Sequence, residues 1–281
     1  PNGLAAAVTM ARAGLEVVLL QAEHTLGGGA RTLDLELAGG LDHDVCSAVH
    51  PLATASPFLA AFDLPARGVE LIAPEISYAH PLDVGRAGLA WRDLARTAEG
   101  MGPDGPTWRR LFDPLVDDPR SVVELTLGDM RSLPRAVRSP RGLATAVALG
   151  VRLLTHGTSL GAKVFHGEPA PALLAGVASH AIAPIPALAP AGVALMLGTL
   201  AHAGGWTIPV GGSQAITDAL VADLRAHGGQ VRTGVRVESW RELPRARSYL
   251  LDTSTRGAAQ IWGDRLPSSI ARRLRQAPRG G

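Results

Sequence analysis

The spacing of apolar and polar residues at the start of the chain predicts a helix followed by a buried strand. Apolar side chains recur at helical spacing before a glycine typical of a helix C-cap: Leu4, Val8, Ala11 and then Gly14. Residues 15–21 form a nearly continuous apolar run, which is typical of a strand buried on both faces in a parallel sheet. We therefore expect a helix over residues 2–13 and a parallel strand over residues 15–21, the second half of a βαβ unit.

The same spacing predicts further elements along the chain. Helical stretches are expected near residues 88–100, 106–117 and 140–156. An amphipathic helix is expected from Gln214 to His227, with Ser213 as its N-cap. Strands are expected over residues 231–237 and 249–252.

The stretch from Ala181 to Ala201 carries no charged side chain and is long enough to be considered as a membrane span. Three prolines fall in its first half, and a proline inside a helix costs about 3 kcal/mol. The better interpretation is a proline-rich connector followed by a buried core helix from Pro190 to His202. Its apolar wall leaves open a pocket for a lipid-like substrate.

Composition and charge exclude several function classes. The 281 residues are 46% hydrophobic and 19% charged, which is typical of a globular protein, and an aromatic share of 4% requires an aliphatic core. The formal net charge of +2 gives no strong field for nucleic acid, so nucleic-acid binding is not expected. Cys46 is the single cysteine, which excludes an intramolecular disulfide and indicates a small buried side chain. The histidines are scattered without zinc-like spacing, so we expect no metal site.

The first residues carry the tail of a dinucleotide-binding fingerprint, G-x-G-x-x-G. Gly3 would be its third glycine, where the lack of a Cβ lets the helix pack on the sheet while its N-terminus faces a pyrophosphate. At the end of the following strand, where an acidic residue would bind a ribose, the chain has Gln21, with Glu23 two positions later. A glycine near a chain terminus is also typical of a plain turn, so this half-motif is weak alone.

Further glycines extend this half-motif into a longer pattern. The segment Leu26-Gly27-Gly28-Gly29-Ala30-Arg31-Thr32 follows the strand, and Gly211-Gly212-Ser213 precedes the helix that leads to Val235. This arrangement resembles the phytoene desaturase-like NAD(P)/FAD-dependent oxidoreductases of the flavin amine oxidase and phytoene desaturase superfamily. The resemblance extends over essentially the whole chain, and it departs at Gln21, which replaces the usual glutamate. Because the chain begins at Pro1 without the first strand of the fingerprint, we expect a fragment.

The resemblance implies an α/β fold. It consists of a Rossmann-like FAD-binding domain, discontinuous and without its first strand, into which an α+β substrate domain is inserted. The implied boundaries are residues 1–66 for the first part of the FAD-binding domain, 67–204 for the substrate domain, 205–256 for the second part, and 257–281 for the start of a return to the substrate domain.

The resemblance also implies a function and a cofactor. The family members are FAD-dependent oxidoreductases, so we expect dehydrogenation, desaturation or isomerisation of a hydrophobic, carotenoid-like small molecule, with no catalytic residue assigned. The implied cofactor-binding residues are Asn2, Gly3, Gln21, Ala22, Gly27, Gly28, Gly29, Arg31, Thr32, Ser47 and Val235. Because one nucleotide must touch Gln21, Gly28 and Val235, these three should surround one crevice.

Two other functions stay open. One is a non-catalytic remnant that keeps the fold but not the flavin, and the other is a membrane-associated binding module that uses the surface of residues 181–201. We expect a cytoplasmic protein, or one of the mitochondrial matrix for a eukaryotic relative, with a peripheral membrane contact left open. The oligomeric state is not set by the sequence. Since each missing charge-assisted contact of the fingerprint is worth about 1.5–3 kcal/mol, we expect the chain as given to bind FAD weakly.

Overall fold

The computed structural model describes residues 1–37, 39–129 and 131–277, which form a mixed α/β structure in which helices predominate. The helices are α1 (Asn2–Arg12), α2 (Pro57–Phe62), α3 (Leu94–Gly100), α4 (Gly105–Val116), α5 (Pro119–Leu127), α6 (Pro140–His156), α7 (Pro169–Ala178), α8 (Leu188–Ala203), α9 (Gln214–Ala226), α10 (Thr255–Trp262) and α11 (Ser268–Gln276). The strands are β1 (Val18–Leu20), β2 (Thr32–Asp34), β3 (Asp42–Asp44), β4 (Leu71–Ile72), β5 (Ile76–Pro81), β6 (Ala87–Trp91), β7 (Ile208–Pro209) and β8 (Gln230–Arg232).

The chain divides into two compact units. The first, here called the loop unit, comprises Pro1–Ala48, Leu64–Glu70 and Pro209–Gly281. The second, called the helical unit, comprises Val49–Asp63 and Leu71–Ile208. Residues 257–281 therefore group with the loop unit, whereas the resemblance assigned them to the substrate domain. The assignment of either unit to a cofactor or a substrate stays a prediction.

The loop unit contains the predicted parallel strand pair. β1 pairs with β8 in parallel, with Leu19 opposite Val231, which confirms a parallel strand inside residues 15–21. Both strands are shorter than predicted, since the paired ladder extends only over Val18–Leu20 and Gln230–Arg232. Residues 249–252, predicted as a strand, form none, since the structure gives them no strand partner in the described part of the chain.

Helix α1 packs against α9, and a charged cluster joins their outer ends. The contact is made by the apolar stripes that the spacing predicted, with Leu4 and Val8 buried on α1 and Leu220 and Leu224 on α9. Asp223 of α9 accepts a bidentate pair of hydrogen bonds from Arg12, at 2.9 Å and 2.6 Å. The hydrogen bonds from Arg12 lower the pKa of the Asp223 carboxyl below its ordinary value. Arg67 donates to the same carboxylate at 3.3 Å.

The helical unit is built around α8, which confirms the predicted core helix. Leu195 and Ala201 of α8 are fully buried, and Trp108 and Phe112 of α4 lie in the same core. Gly198 is required there, because a Cβ at that position would lie 2.6 Å from the Phe112 ring. In the part of the chain that the structure describes, no helix is long and apolar enough to cross a membrane.

A half-buried arginine donates a hydrogen bond to a backbone carbonyl of α4 that a proline leaves without its helical partner. Pro114 lies inside α4 and has no N–H to donate to the carbonyl of Arg110 four residues earlier. The Arg152 guanidinium of α6 donates to that carbonyl and, at 2.7 Å, to the carbonyl of Leu111. Burial lowers the pKa of Arg152. Helix α6 is thereby fixed to α4 on one of its faces.

The predicted helix over residues 88–100 is wrong in its first half. Residues 87–91 form β6, which pairs antiparallel with β5, and α3 begins only after Asp93. The Asp93 carboxylate accepts hydrogen bonds from the N–H groups of Ala95 and Arg96, so it caps the helix. Pairing with β5 and the Asp93 cap therefore decide the structure of residues 87–93, although their apolar spacing favours a helix.

Candidate functional site: a glycine loop beside two parallel strand ends

The glycine loop follows β1 and adopts a backbone that side chains rarely allow. Gly27 has a φ of +115° and Gly28 a φ of +57°. A Cβ at Gly27 would lie 2.8 Å from Thr217 Oγ1, so the loop approaches α9 closely there. Gly28 and Gly29 are exposed, and in the described part of the chain no group accepts a hydrogen bond from their N–H groups. The loop therefore presents backbone donors outward, as anion-binding loops do.

A small hydrogen-bond network holds the loop to the end of β1. Arg31 Nε donates to the carbonyl of Gly28 at 2.8 Å, and Arg31 Nη1 donates to Thr25 Oγ1 at 3.0 Å. Gln21 Nε2 donates to the carbonyl of Thr25 at 3.2 Å. Arg31 thus positions the loop, and among the described residues no group donates a hydrogen bond to Gln21 Oε1.

The ends of the two parallel strands meet at Gln21 and Val235. The N–H of Gln21 donates to the carbonyl of Arg232, and the N–H of Val235 donates to the carbonyl of Gln21, each at 2.9 Å. Through Gln21, Thr25 and Arg31, Val235 is connected to Gly28. The structure therefore joins Gln21 directly to Val235 and links both indirectly to Gly28, while one crevice surrounded by all three stays a prediction.

The acidic residue nearest to Gln21 is already paired. Glu23 accepts a hydrogen bond from Arg236 at 2.9 Å, and both side chains are more than half exposed. A ribose hydroxyl at this strand end would therefore meet the neutral Gln21 amide before a free carboxylate.

The N-terminus of α9 is capped by residues distant in sequence. Asp44 Oδ1 accepts hydrogen bonds from Thr32 Oγ1 at 2.6 Å and from the Ser213 N–H at 2.8 Å. Thr32 Oγ1 in turn accepts from the Gln214 N–H at 3.0 Å. Ser213 occupies the N-cap position as predicted, but its hydroxyl does not cap the helix and donates to the Ser47 carbonyl instead. Gly212 is required by this arrangement, since a Cβ there would lie 2.3 Å from Thr32 Oγ1.

Cys46 lies on the rim of the loop. The Ser47 N–H donates to the Gly29 carbonyl at 2.9 Å, which places residues 46 and 47 beside the glycines. The expectation of a buried Cys46 is wrong: the thiol is exposed, because it follows the short strand β3 at the edge of its two-stranded sheet. A Cβ on Gly29 would lie 3.5 Å from the Cys46 sulfur.

The N-terminus of α1 already faces a carboxylate. The Gly3 N–H donates to Asp252 Oδ2 at 2.6 Å, across 249 positions of sequence. Sequence analysis missed Asp252, since it follows an apolar run and nothing there points to Gly3. Asn2 is exposed in the first turn of α1, and Ala22 is half-buried just beyond β1.

Other features of the molecule do not extend this site. The described residues include no group of three or more His, Cys, Asp or Glu that could hold a metal ion. Two shallow surface pockets of the helical unit, one lined by Asp117, Asp118 and Arg141 and the other by Glu124, Asp129 and Arg138, contain none of the residues implied by the resemblance.

Comparison with known proteins supports the fold alone. No protein-family model matches the chain, and no curated protein matches it. Among solved structures, the chain is similar to the crystal structure of the PF1083 protein from Pyrococcus furiosus, with a TM-score of 0.55 and 15% sequence identity. The match covers 98% of this chain and 63% of the Pyrococcus chain, so this chain spans less than two thirds of that protein's length.

Proposed function

We propose that the loop unit is the FAD-binding part of an FAD-dependent oxidoreductase of the phytoene desaturase-like type, acting on a hydrophobic small molecule. One observation carries the proposal: hydrogen bonds of Gln21, Thr25 and Arg31 link the Gln21–Val235 backbone hydrogen bond of 2.9 Å to a loop with exposed glycine N–H groups. A nucleotide at the carboxyl ends of parallel strands needs this combination of strand ends and outward backbone donors.

The residues present fit an FAD molecule at most of the expected positions. Gly28 and Gly29 offer exposed N–H donors, and a Cβ on Gly28 would meet only Pro1 within 4 Å. Gln21 Oε1, which accepts from no residue in the described part of the chain, can accept from a ribose hydroxyl. In this proposal Gly27, Arg31, Thr32 and Ser47 shape the loop rather than contact the cofactor, because their polar groups already bond within the protein. The hydrogen bonds concerned are donated by Arg31 to Gly28, by Thr32 to Asp44, by Ser47 to Gly29 and by Ala30 to Gly27.

The N-terminus of α1 is the proposed pyrophosphate position. Its Gly3 N–H now donates to the Asp252 carboxylate, so this end of the helix favours an anion, as the helix dipole predicts. A pyrophosphate held by Asn2 and Gly3 would therefore have to take the place of Asp252.

The chemistry would come from the cofactor. When bound, FAD would supply the acceptor for the substrate's hydride, the accompanying proton would leave to water, and no protein acid or base is assigned. In this proposal the chain itself orients the nucleotide through Gln21 and Val235 and holds the phosphates by backbone N–H groups. A titratable side chain at the site is not needed for such a role.

A pair of glycine variants tests the proposal. Gly28→Asn adds a side chain where the nucleotide would approach the backbone, and asparagine tolerates the positive φ. Gly14→Asn is the matched control, because Gly14 also has a positive φ, +78°, and open surroundings, but lies at the far end of α1. Titration with FAD, followed by flavin fluorescence, should show at least about tenfold weaker binding for Gly28→Asn alone.

Two results would contradict the proposal. One is an equal effect of both variants on FAD binding. The other is the absence of saturable FAD binding by the parent chain, which would favour a non-catalytic remnant of the fold.

A further inference from the structure

Arginines are concentrated in one segment of the loop unit. Residues 240–276, called here the arginine segment, contain eight arginines and three carboxylates, whereas the rest of the chain has 19 cationic and 22 anionic side chains. The whole-chain net charge of +2, from which nucleic-acid binding was not expected, therefore averages over two parts of opposite sign. All eight arginines are exposed: Arg241, Arg245, Arg247, Arg256, Arg265, Arg272, Arg273 and Arg275.

These arginines have no carboxylate partners. In the part of the chain that the structure describes, none of the eight guanidinium groups forms an ion pair. The Asp252 carboxylate accepts from the Gly3 N–H, and Glu242 accepts from the Glu238 N–H. Asp264 is the third carboxylate of the segment, and it is exposed. Even when the neighbouring Glu238 is counted, the segment keeps an excess of four positive charges.

A tryptophan ring brings two of these arginines together. The guanidinium carbons of Arg241 and Arg265 lie 4.9 Å and 4.0 Å from the centre of the Trp240 ring. Such cation–π contacts hold a guanidinium group in place without neutralising its charge. Because two like charges on one indole repel each other, an anion bound between them would stabilise the arrangement.

Tyr249 holds a loop with two further arginines beside the aromatic rings. The Tyr249 ring lies 4.9 Å from the Trp262 ring, which in turn lies 6.5 Å from the Trp240 ring. The Tyr249 hydroxyl donates to the Pro244 carbonyl at 2.9 Å and accepts from the Ala246 N–H at 3.0 Å. The loop is thereby folded back on the ring, and its arginines are Arg245 and Arg247.

Helix α11 adds an arginine to the same neighbourhood. It packs on α10 and buries Ala271 there. A Cβ on Gly263 would lie 3.6 Å from Arg275 Nη1, so this side chain lies beside the residue that follows Trp262. The side chains gathered in this way are called here the arginine–aromatic surface: Trp240, Arg241, Tyr249, Trp262, Arg265 and Arg275.

We propose that the arginine–aromatic surface binds single-stranded nucleic acid. Its guanidinium groups would donate charge-assisted hydrogen bonds to phosphates. The Tyr249 ring, 38% exposed, and the outer planes of the guanidinium groups would stack on unpaired bases. The proposal does not depend on FAD binding.

Other anionic partners use less of this surface. The arginine segment, all of which the structure describes, exposes only two large aliphatic side chains, Leu250 and Ile270, which is little apolar surface for insertion into a lipid layer. An acidic protein would pair with the guanidinium groups but leave the planar stacking surfaces without a partner. Unpaired bases are the partner that uses both the charge and the planes.

Fluorescence anisotropy with a labelled oligouridylate tests the binding. The full chain should bind a strand of about 12 nucleotides saturably, and less well when the strand is paired with its complement, which hides the base faces. Raising the NaCl concentration from about 50 to about 200 mM should weaken binding by about tenfold, as expected for two or three phosphate contacts. An oligothymidylate of the same length is the DNA arm, and saturable binding of either single strand supports the proposal.

A charge variant locates the contact. Arg265→Gln, Arg275→Gln should bind the oligouridylate at least about tenfold more weakly and show a smaller salt dependence. The matched control Arg135→Gln, Arg138→Gln removes two exposed arginines of the helical unit and should bind as the parent does. Circular dichroism should show the same helix content in both variants, since all four positions are exposed.

A second pair of variants separates stacking from charge. Tyr249→Phe and Tyr249→Leu both remove the hydroxyl that holds the loop, but only phenylalanine keeps a ring. Tyr249→Leu should therefore bind the oligouridylate at least about fivefold more weakly than Tyr249→Phe does.

Three results would overturn the proposal: no saturable binding by the parent chain, equal losses in the charge variant and its control, or equal binding by Tyr249→Leu and Tyr249→Phe. Flotation of the parent chain with phosphatidylglycerol vesicles, without binding of the oligouridylate, would assign the surface to lipid instead.

Discussion

The two compact units are stabilised by different kinds of contact. In the helical unit, large side chains such as Trp108, Phe112 and Leu195 are fully buried, and the core follows the apolar spacing of the sequence. In the loop unit, three carboxylates make contacts between segments distant in sequence: Asp44, Asp223 and Asp252. Side-chain volume should therefore decide the stability of the helical unit, whereas single polar atoms should decide the geometry of the loop unit.

The largest expected effect is in the helical core. Trp108→Ala should lower the free energy of unfolding by about 3–5 kcal/mol, because it removes a fully buried ring that contacts Phe112 and donates a hydrogen bond to His202. Urea denaturation measures the change. Arg109→Ala, the next residue on the same helix and exposed, is the control and should change stability by less than about 0.5 kcal/mol. Similar losses for both variants would show that burial does not decide stability in this unit.

The next effect is a pH dependence of that same core. His202 is buried between Trp108 Nε1, which donates to its Nε2 at 3.2 Å, and the Trp91 carbonyl, which accepts from its Nδ1 at 2.9 Å. Both contacts suit the neutral ring, and burial lowers the pKa of His202 to about 4. Between pH 6.5 and about 4 the unfolded chain binds the additional proton, so acidification favours unfolding.

The pKa difference of His202 sets the size of this effect. The free energy of unfolding should have its full value above pH 6.5 and should fall by about 3 kcal/mol as the pH approaches 4. Denaturation at several pH values measures the slope. His202→Gln should flatten it, while the exposed control His166→Gln should leave it unchanged. A slope that survives His202→Gln would assign the pH dependence to another group.

A smaller effect is expected from the charged cluster of the loop unit. Asp223→Asn should cost about 2 kcal/mol, less than a fully buried ion pair, because Arg12 and Arg67 keep 30% and 29% of their side-chain surface exposed. Arg12 lowers the pKa of Asp223, so the carboxylate adds stability above its ordinary pKa of 3.8, and this is lost as the pH falls below that value.

Thermal denaturation at neutral and acidic pH checks the Asp223 prediction. The variant should lose stability at neutral pH and show a weaker acid dependence than the parent. Asp218→Asn, on the same helix and exposed, is the control. An unchanged acid dependence in Asp223→Asn would contradict the assignment.

The sequence predicted the periodic elements well and the polar contacts poorly. The bounds of α1, α8 and α9 agree with apolar spacing to within two residues, because each helix buries one regular stripe or its whole surface. The strands came out shorter, since strand ends depend on hydrogen bonds to another segment and not on local pattern.

At the candidate site, a contact between Gln21 and Val235 was predicted and is present, but the partners of Thr32 and Gly3 were not predicted. Asp44 reaches Ser213 across 169 positions, and Asp252 reaches Gly3 across 249. A single carboxylate carries no periodic signal, so such contacts are visible only once the chain has folded.

The smallest effect is expected at Asp252, where one variant separates a structural role of the carboxylate from a role in cofactor binding. Asp252→Asn keeps an oxygen that can accept from the Gly3 N–H but removes the negative charge that faces the α1 N-terminus. Stability should fall by less than about 1 kcal/mol, the usual worth of an anion at a helix N-terminus. Affinity for FAD should rise about fivefold, because the proposed pyrophosphate would no longer meet a negative charge worth about 1 kcal/mol near its site. Asp264→Asn, an exposed acid elsewhere in the same unit, should change neither quantity. If Asp252→Asn weakens FAD binding instead, the carboxylate supports the nucleotide site rather than competing for it, and the pyrophosphate must be held away from Gly3.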